Sequence, residues 1–235
     1  MKEYLVSALK DFKIILSEEQ LEQLQIYYEL LVDWNKKMNL TAITEPSDVA
    51  VKHFADSLTA FNYLDLPENA KVIDVGTGAG FPGMVMKIAR PDLQITLLDS
   101  LQTRLTFLDK VLCELGLSAE LIHGRAEDSA QYIDLRETFD LAVSRAVARL
   151  NVLSEYCLPF VRLSGSFVAM KGPEASEEIN SAKRAIRILG GKISGVKEFE
   201  LPMNGGGRTI VMIEKNTPTP DKYPRSSSKI KSNPL

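Results

Sequence analysis

The chain is poor in cysteine, in long apolar runs and in net charge. Its two cysteines, Cys113 and Cys157, lack the spacing of metal ligands, and no metal site is predicted. Each lies in an apolar helical pattern, which predicts two buried free thiols rather than a disulfide or a nucleophile. No apolar run approaches the ~20 residues that a membrane span requires. Met1 to Phe12 carries Glu3 and Asp11 and has no basic-then-apolar signal layout. These absences predict a cytoplasmic protein. The charge balance is 28 Lys+Arg against 31 Asp+Glu, a net of −3. That excludes the broad basic surface needed to coat nucleic acid non-specifically, and taken alone it points to an enzyme of small molecules. With 45% hydrophobic and 25% charged residues over 235 positions, the chain is not collagen-like, a disulfide scaffold or wholly disordered. The length suits one α/β domain with an elaboration, or two small domains.

What is present divides into three segments. Residues 1–66 read as a helical cap. Ser17 and Gln20 form a capping-box pattern, and Leu21, Leu24, Tyr28 and Leu31 recur at helical spacing, with Trp34 expected in the core. That helix should end near Lys37, and a second should run from Ser47 or Asp48 to Tyr63, ahead of Pro67. From residue 67 to 221 short apolar runs alternate with helix-length stretches. Strands are predicted at Lys71–Val75, Gln94–Asp99, Ala119–His123, Phe139–Ser144 and Ser166–Met170. The intervening helices are predicted at Pro82–Ala89, Thr103–Leu115, Asp128–Arg136, Asn151–Val161 and Glu174–Leu189. Runs of about five apolar residues, each followed by a helix, indicate a parallel sheet covered on both faces. Lys192–Leu201 and Arg208–Glu214 have no helix between them and predict a closing β-hairpin. The tail from Lys222 to Leu235 holds four basic residues and no acid, and is expected to be extended or disordered by itself.

The sharpest motif follows the first strand: Asp74-Val75-Gly76-Thr77-Gly78-Ala79-Gly80-Phe81-Pro82-Gly83. Glycines here permit positive φ and close approach of a ligand to the backbone, at the start of a helix and the carboxyl end of a strand. The dinucleotide pattern G-x-G-x-x-G fails from Gly76, whose sixth position is Phe81. The G-x-G-x-G run behind an acid suits S-adenosylmethionine (SAM), which has no pyrophosphate but carries an ammonium for Asp74 to face. Asp99 ends the second strand, where a carboxylate can accept both ribose hydroxyls. Ala126 and Glu127, after the third strand, would border the adenine. A nicotinamide cofactor and a ligand-free glycine turn are the alternatives.

Further motifs are Asn39-Leu40-Thr41, His53 with Asp56-Ser57, and Ser100 and Arg104 ahead of Phe107-Leu108, followed by Gly124-Arg125-Ala126-Glu127, Ser144-Arg145-Ala146-Val147-Ala148, Lys171-Gly172 and Tyr223-Pro224-Arg225. Together with the Asp74–Gly83 block they make the chain resemble the RsmG (GidB) family, methyltransferases of guanine N7 in small-subunit ribosomal RNA. The resemblance runs along nearly the whole chain. It implies a class I, Rossmann-like SAM-dependent methyltransferase with a mostly parallel seven-stranded sheet ending in a β-hairpin, plus the helical cap. It also implies a cofactor site that includes Gly76, Phe81, Ala126, Glu127 and Arg145, to which the reading of the motifs adds Asp74, Gly78, Asp99 and Ser100. The partner would be 16S rRNA, as naked RNA or in the 30S subunit, with no membrane and no obligate protein partner. The chain departs from the family pattern after Arg225, where Ser226-Ser227-Ser228 replaces a basic residue and a Gly-Thr-Pro-like turn.

Guanine N7 has an in-plane lone pair on the neutral base, so no acid/base dyad is needed, and none is evident. Arg145, Lys171 and His53 are the candidates for orienting substrate. His53, Asp56 and Ser57 either line a lid or tie the cap to the sheet. A lone Arg104 or Arg208 reads more readily as an ion-paired surface group than as an RNA contact. Two other functions compete: methylation of a small molecule, and a non-catalytic RNA-binding module. The charge is unevenly spread. Residues 1–66 carry six basic and eleven acidic side chains, residues 67–221 carry 18 and 20, and the tail carries four basic ones. A polarised chain of this kind can engage RNA on one side only.

Overall fold

A computed structural model describes residues 1–173 and 175–235; the predicted start of a helix at Glu174 lies outside them. Seven strands form one sheet in the order β3-β2-β1-β4-β5-β7-β6: β1 Lys71–Val75, β2 Gln94–Asp99, β3 Glu120–His123, β4 Phe139–Arg145, β5 Val161–Lys171, β6 Gly191–Leu201 and β7 Gly206–Lys215. Pairs β1–β2, β1–β4, β2–β3 and β4–β5 are parallel, whereas β7 runs antiparallel to β5 and β6. Strand order reverses between β1 and β4, which opens a crevice at their carboxyl ends.

Residue alternation along the strands divides the core. Val72, Leu97, Leu141, Val143 and Val168 face one side, packed with helices α5 (Gly83–Ala89) and α6 (Gln102–Leu115) and with the cap. Ile73, Leu98, Ala142, Phe167 and Val211 face the other, under α8 (Leu150–Cys157) and α9 (Ser176–Ile188). The cap helices α1 (Lys2–Asp11) and α2 (Glu18–Met38) share the first cluster through Leu5, Leu24, Tyr27 and Leu31. The capping box of Ser17 and Gln20 forms as expected. The buried position of the stripe is Tyr27 rather than Tyr28, whose hydroxyl instead donates to the Thr44 carbonyl at 3.2 Å. Trp34 packs on Phe107.

Several elements differ from the sequence expectation. The second cap helix is a composite: α3 (Pro46–Val49), a π-turn at Ala50–Ala55, α4 (Asp56–Leu58) and a 3₁₀ turn at Thr59–Tyr63. The helix expected at Asp128–Arg136 shrinks to α7 (Ala126–Ser129) followed by turns. Cys113 is exposed and only Cys157 is buried, because the apolar stripe of α6 runs through Leu105, Leu108, Val111, Leu112 and Leu115. The tail is not extended. Ser227–Ser232 forms α10, with Ile230 fully buried against the second cluster. Among the described residues no helix is long and apolar enough to cross a membrane.

Candidate active site

The glycine turn leaves β1 with Gly76, Gly78 and Gly80 all at positive φ. The Gly76 and Thr77 amides donate to the Leu98 carbonyl at 2.8 and 3.1 Å, which ties the turn to β2. A Cβ on Gly76 would come within 2.6 Å of Val147, while one on Gly78 would meet open space. Asp74 lies beneath the turn, fully buried. Its Oδ2 accepts from Thr77 Oγ1 and the Gly83 amide, both at 2.7 Å, and its Oδ1 has no partner among the described residues. Burial pushes this carboxyl up to about 6, against the opposing effect of those two hydrogen bonds and of Arg145.

Asp99, also buried, ends β2 facing the turn. Its carboxylate accepts from the Gly78 amide and the Leu101 amide at 2.9 Å each, and pairs with Arg104 at 3.2 Å. A cleft of about 460 Å³ opens beside it, walled by Gly76, Asp99, Ser100, Ala126, Glu127 and Tyr156. Glu127 is buried and its Oε1 lacks a partner among the described residues. The sequence reading missed Tyr156, Lys231 and Pro234, which line the same cleft. Tyr156 lies in the apolar run of α8, where nothing marks it as a ligand contact, and nothing local in the tail signals that it folds back.

The tail is held there by Arg225. Its Nε and backbone amide donate to Glu155 Oε1 at 2.8 and 2.9 Å, and its Nη2 to Oε2 at 2.6 Å. Arg136 fastens the preceding stretch by donating to the carbonyls of Tyr223 and Thr219.

On the other side of the turn a cavity of about 450 Å³ includes Thr41, His53, Gly78, Phe81, Asp99 and Arg145. The His53 ring stacks on Phe81 at 4.4 Å. Its Nδ1 lies 3.2 Å from Arg145 Nη2 and its Nε2 lies 2.9 Å from Thr41 Oγ1. Nδ1 also lies 3.2 Å from the Lys52 carbonyl, so it meets a donor and an acceptor at the same distance. Burial, then Arg145, lower the His53 pKa to about 3, so the ring is neutral at ordinary pH. His53 thus lines the cavity and, through Arg145, ties the cap to β4. The π-turn that carries it is an irregularity of a type frequent at functional sites.

A third cavity, about 310 Å³, adjoins the second through His53, Arg145 and Ala146, and adds Lys52, Asp56, Lys171 and Arg208. Each of its four cations is held by a carboxylate. Arg145 and Arg208 both reach Asp56 Oδ2, at 3.0 and 3.1 Å, Lys52 pairs with Asp48, and Lys171 pairs with Glu178. Lys171 also donates to the Ala148 carbonyl. The wall is rich in cations without being an open field of free charge. A larger cavity of about 690 Å³ lies at the wrong end of the sheet. It is lined by Lys71, Gln94, Glu120 and Phe139, the first residues of four strands, whereas ligands of such sheets bind at the carboxyl ends.

Among the described residues, the structure therefore brings Gly76, Gly78, Phe81, Asp99, Ser100, Ala126, Glu127 and Arg145 to the rim of one crevice, with Asp74 below it. It places Lys171 on the outer cavity alone. The family model described as "GidB: rRNA small subunit methyltransferase G" matches residues 20–205. Proteins called ribosomal RNA small subunit methyltransferase G are similar along nearly the whole chain. That of Desulforamulus reducens is 49% identical and covers 95% of this chain and 93% of its own. That of Thermoanaerobacter sp. strain X514 is 50% identical and covers 99% and 98%. Among solved structures, TrmN from Thermus thermophilus aligns with a TM-score of 0.55 at 16% identity, over 68% of this chain and 48% of that one. A methyltransferase from Pyrococcus furiosus gives 0.55 at 14% identity, over 82% and 98%. These two share the class I methyltransferase fold.

Proposed function

The chain belongs to the rRNA small subunit methyltransferase G family, and from that premise we propose that it methylates N7 of one guanine in 16S rRNA, using SAM. The observation that carries this reading is the convergence of the glycine turn, Asp99 and Glu127 on one cleft that continues, past His53 and Arg145, into a second cavity. The residues fit the cofactor. Open space at Gly78 admits a ligand against the backbone, and the orphaned oxygens of Glu127 and Asp74 await donors. Asp99 would take the ribose hydroxyls with Arg104 displaced, Ala126 and Glu127 would border the adenine, and Asp74 would face the ammonium. Gly76, Phe81, Ser100 and Arg145 complete the site. When bound, SAM supplies a methyl group made electrophilic by its sulfonium.

The protein's residues then have no proton to remove, because the lone pair of N7 is available on the neutral base. Their work is alignment: holding N7 in line and excluding water. Methylation leaves the base positive, so a cation on N7 itself would oppose it. Asp56, His53 and the Lys52 carbonyl hold the Arg145 guanidinium between the two cavities, where it bridges cofactor and substrate. Residues 1–66 act as a cap over this site, 67–221 as the methyltransferase domain and 222–235 as its basic tail. The substrate places the reaction in the cytoplasm.

The test is incubation with labelled SAM and either 30S subunits or stripped 16S rRNA lacking the modification, followed by mapping of the methylated base. Label at guanine N7 of that RNA is expected; label only on a metabolite would refute the reading. Two further results are expected. Asp99→Ala should weaken SAM binding on the order of 10- to 100-fold, as loss of charge-assisted hydrogen bonds worth about 1.5–3 kcal/mol implies. It should also lower the melting temperature, since the Gly78 and Leu101 amides lose their acceptor; calorimetry reads both.

SAM affinity should rise with pH around 6, as Asp74 ionises and can face an ammonium. The sign for folding is opposite. The Asp74 pKa is raised in the folded protein, so the carboxyl's contribution to stability is fully present below the ordinary value of 3.8 and is lost as pH rises through about 6. Titrating SAM affinity between pH 5 and 7.5 checks the first part, and Asp74→Asn should flatten the profile.

A further inference from the structure

We propose that Asp56 reads the Watson–Crick edge of the target guanine and thereby sets the choice of guanine over other purines. This rests on the reading of the chain as a guanine-N7 methyltransferase and goes beyond it by naming the group that recognises the base.

Asp56 follows the π-turn directly and is 3% exposed. Both guanidiniums, of Arg145 and Arg208, donate to its Oδ2, at 3.0 and 3.1 Å. Its Oδ1 is buried and has no hydrogen-bond partner among the described residues, although the residue lines the 310 Å³ cavity. A buried carboxylate oxygen without a donor is costly, and native proteins rarely keep one without a use.

The pattern around Oδ1 is an acceptor flanked by guanidinium donors. Guanine presents the complement: N1–H and the N2 amino group are donors, and O6 beside them is an acceptor. In adenine N1 is itself an acceptor and N6 a donor, so both interactions would be reversed, with the N1 lone pair set against Oδ1. Enzymes that modify a base outside the stack commonly read it by that edge.

The direction also agrees. N7 lies across the purine from N1 and N2. The cavity of Asp56 adjoins that of the glycine turn through His53, Arg145 and Ala146. A purine seated with N1 and N2 at Asp56 therefore turns N7 back toward the glycine turn. Oδ1 is closed to bulk water, so the base reaches it with the shift of the cavity wall that its entry requires.

The test uses the full chain and 30S subunits assembled on 16S rRNA whose target position is either guanosine or 2-aminoadenosine. The latter keeps N7 and the 2-amino group but has an acceptor at N1 and a donor at the 6-position. For the wild type, kcat/KM should favour guanosine by about 100-fold or more, as expected of a site built to hydrogen-bond its substrate. In Asp56→Asn an arginine-bound carbonyl leaves the amide as a donor toward the base. The ratio should fall at least tenfold, with SAM affinity measured by calorimetry unchanged within about twofold.

A wild type that uses both substrates equally overturns the proposal. So does Asp56→Asn with the wild-type ratio, or a folded Asp56→Asn inactive on both, which would make Asp56 a support for Arg145 and Arg208 only. Should Asp56→Asn fail to fold, the wild-type ratio alone decides. No methylation of guanine N7 by the wild type would defeat the family-based function instead, a separate failure.

Discussion

Arg225→Ala is expected to lower the melting temperature by on the order of 10 °C. Glu155 is fully buried, and among the described residues its three hydrogen bonds all come from Arg225, at 2.6–2.9 Å through its backbone amide, Nε and Nη2. Removing the guanidinium leaves a buried carboxylate without its counter-charge, a loss of about 3–5 kcal/mol. In a chain of this size each kcal/mol shifts the midpoint by roughly 2–4 °C. Adding Glu155→Gln to the alanine variant should recover part of the loss, because the unpaired charge is then gone. Differential scanning calorimetry on the single and double variants checks this, and a fall of less than about 2 °C would mean that Glu155 finds another partner. SAM affinity should fall as well, since Lys231 and Pro234 line the cofactor cleft only while the tail is anchored.

Gly80→Ala should be comparably damaging. Gly80 sits at φ +100, and a Cβ there would collide with the Tyr27 hydroxyl, with Leu108 at 2.7 Å and with Met84 at 2.9 Å. The left-handed conformation costs an L-residue roughly 1–2 kcal/mol, and overpacking a filled core adds about 1–3 kcal/mol. Tyr27 is no passive neighbour, for its hydroxyl donates to the Ala79 carbonyl within the turn. The cap and the glycine turn would therefore be displaced together, with loss of SAM binding. Tyr27→Phe in the Gly80→Ala background removes the colliding oxygen and should restore part of the melting temperature. No restoration would show that backbone strain, rather than the collision, carries the effect.

The two cases differ in how far the sequence announces them. Gly80 lies in a run whose spacing by itself requires unusual backbone angles, and all three glycines of G-x-G-x-G adopt positive φ. What the run does not announce is that a tyrosine 53 positions earlier, on a cap helix, closes over it; the expected stripe even favoured Tyr28 over Tyr27. Arg225 was visible only as part of a short motif in a basic tail. Its partner, 70 residues away, sits in an apolar helix where a glutamate gives no hint of burial. The expected extended tail followed from composition, which reports what a segment does alone and not what it docks against.

The same division runs through the site. Alternation of apolar runs with helices, the missing helix before the last strand, and an acid at the end of β2 are local properties, legible because strand, turn and helix each impose their own period on neighbouring residues. They determined the sheet, its closing hairpin and the position of the glycine turn. Tertiary structure alone decided which charges meet. Asp56 and Arg208 are 152 positions apart, and Arg145 reaches the cap across 89. The outer cavity, its paired cations and the carboxylate of Asp56 set among them exist only once the cap closes on the sheet. The physical reason is range: backbone preference acts over a few residues, whereas burial and ion pairing depend on groups that the fold, and not the chain order, makes neighbours.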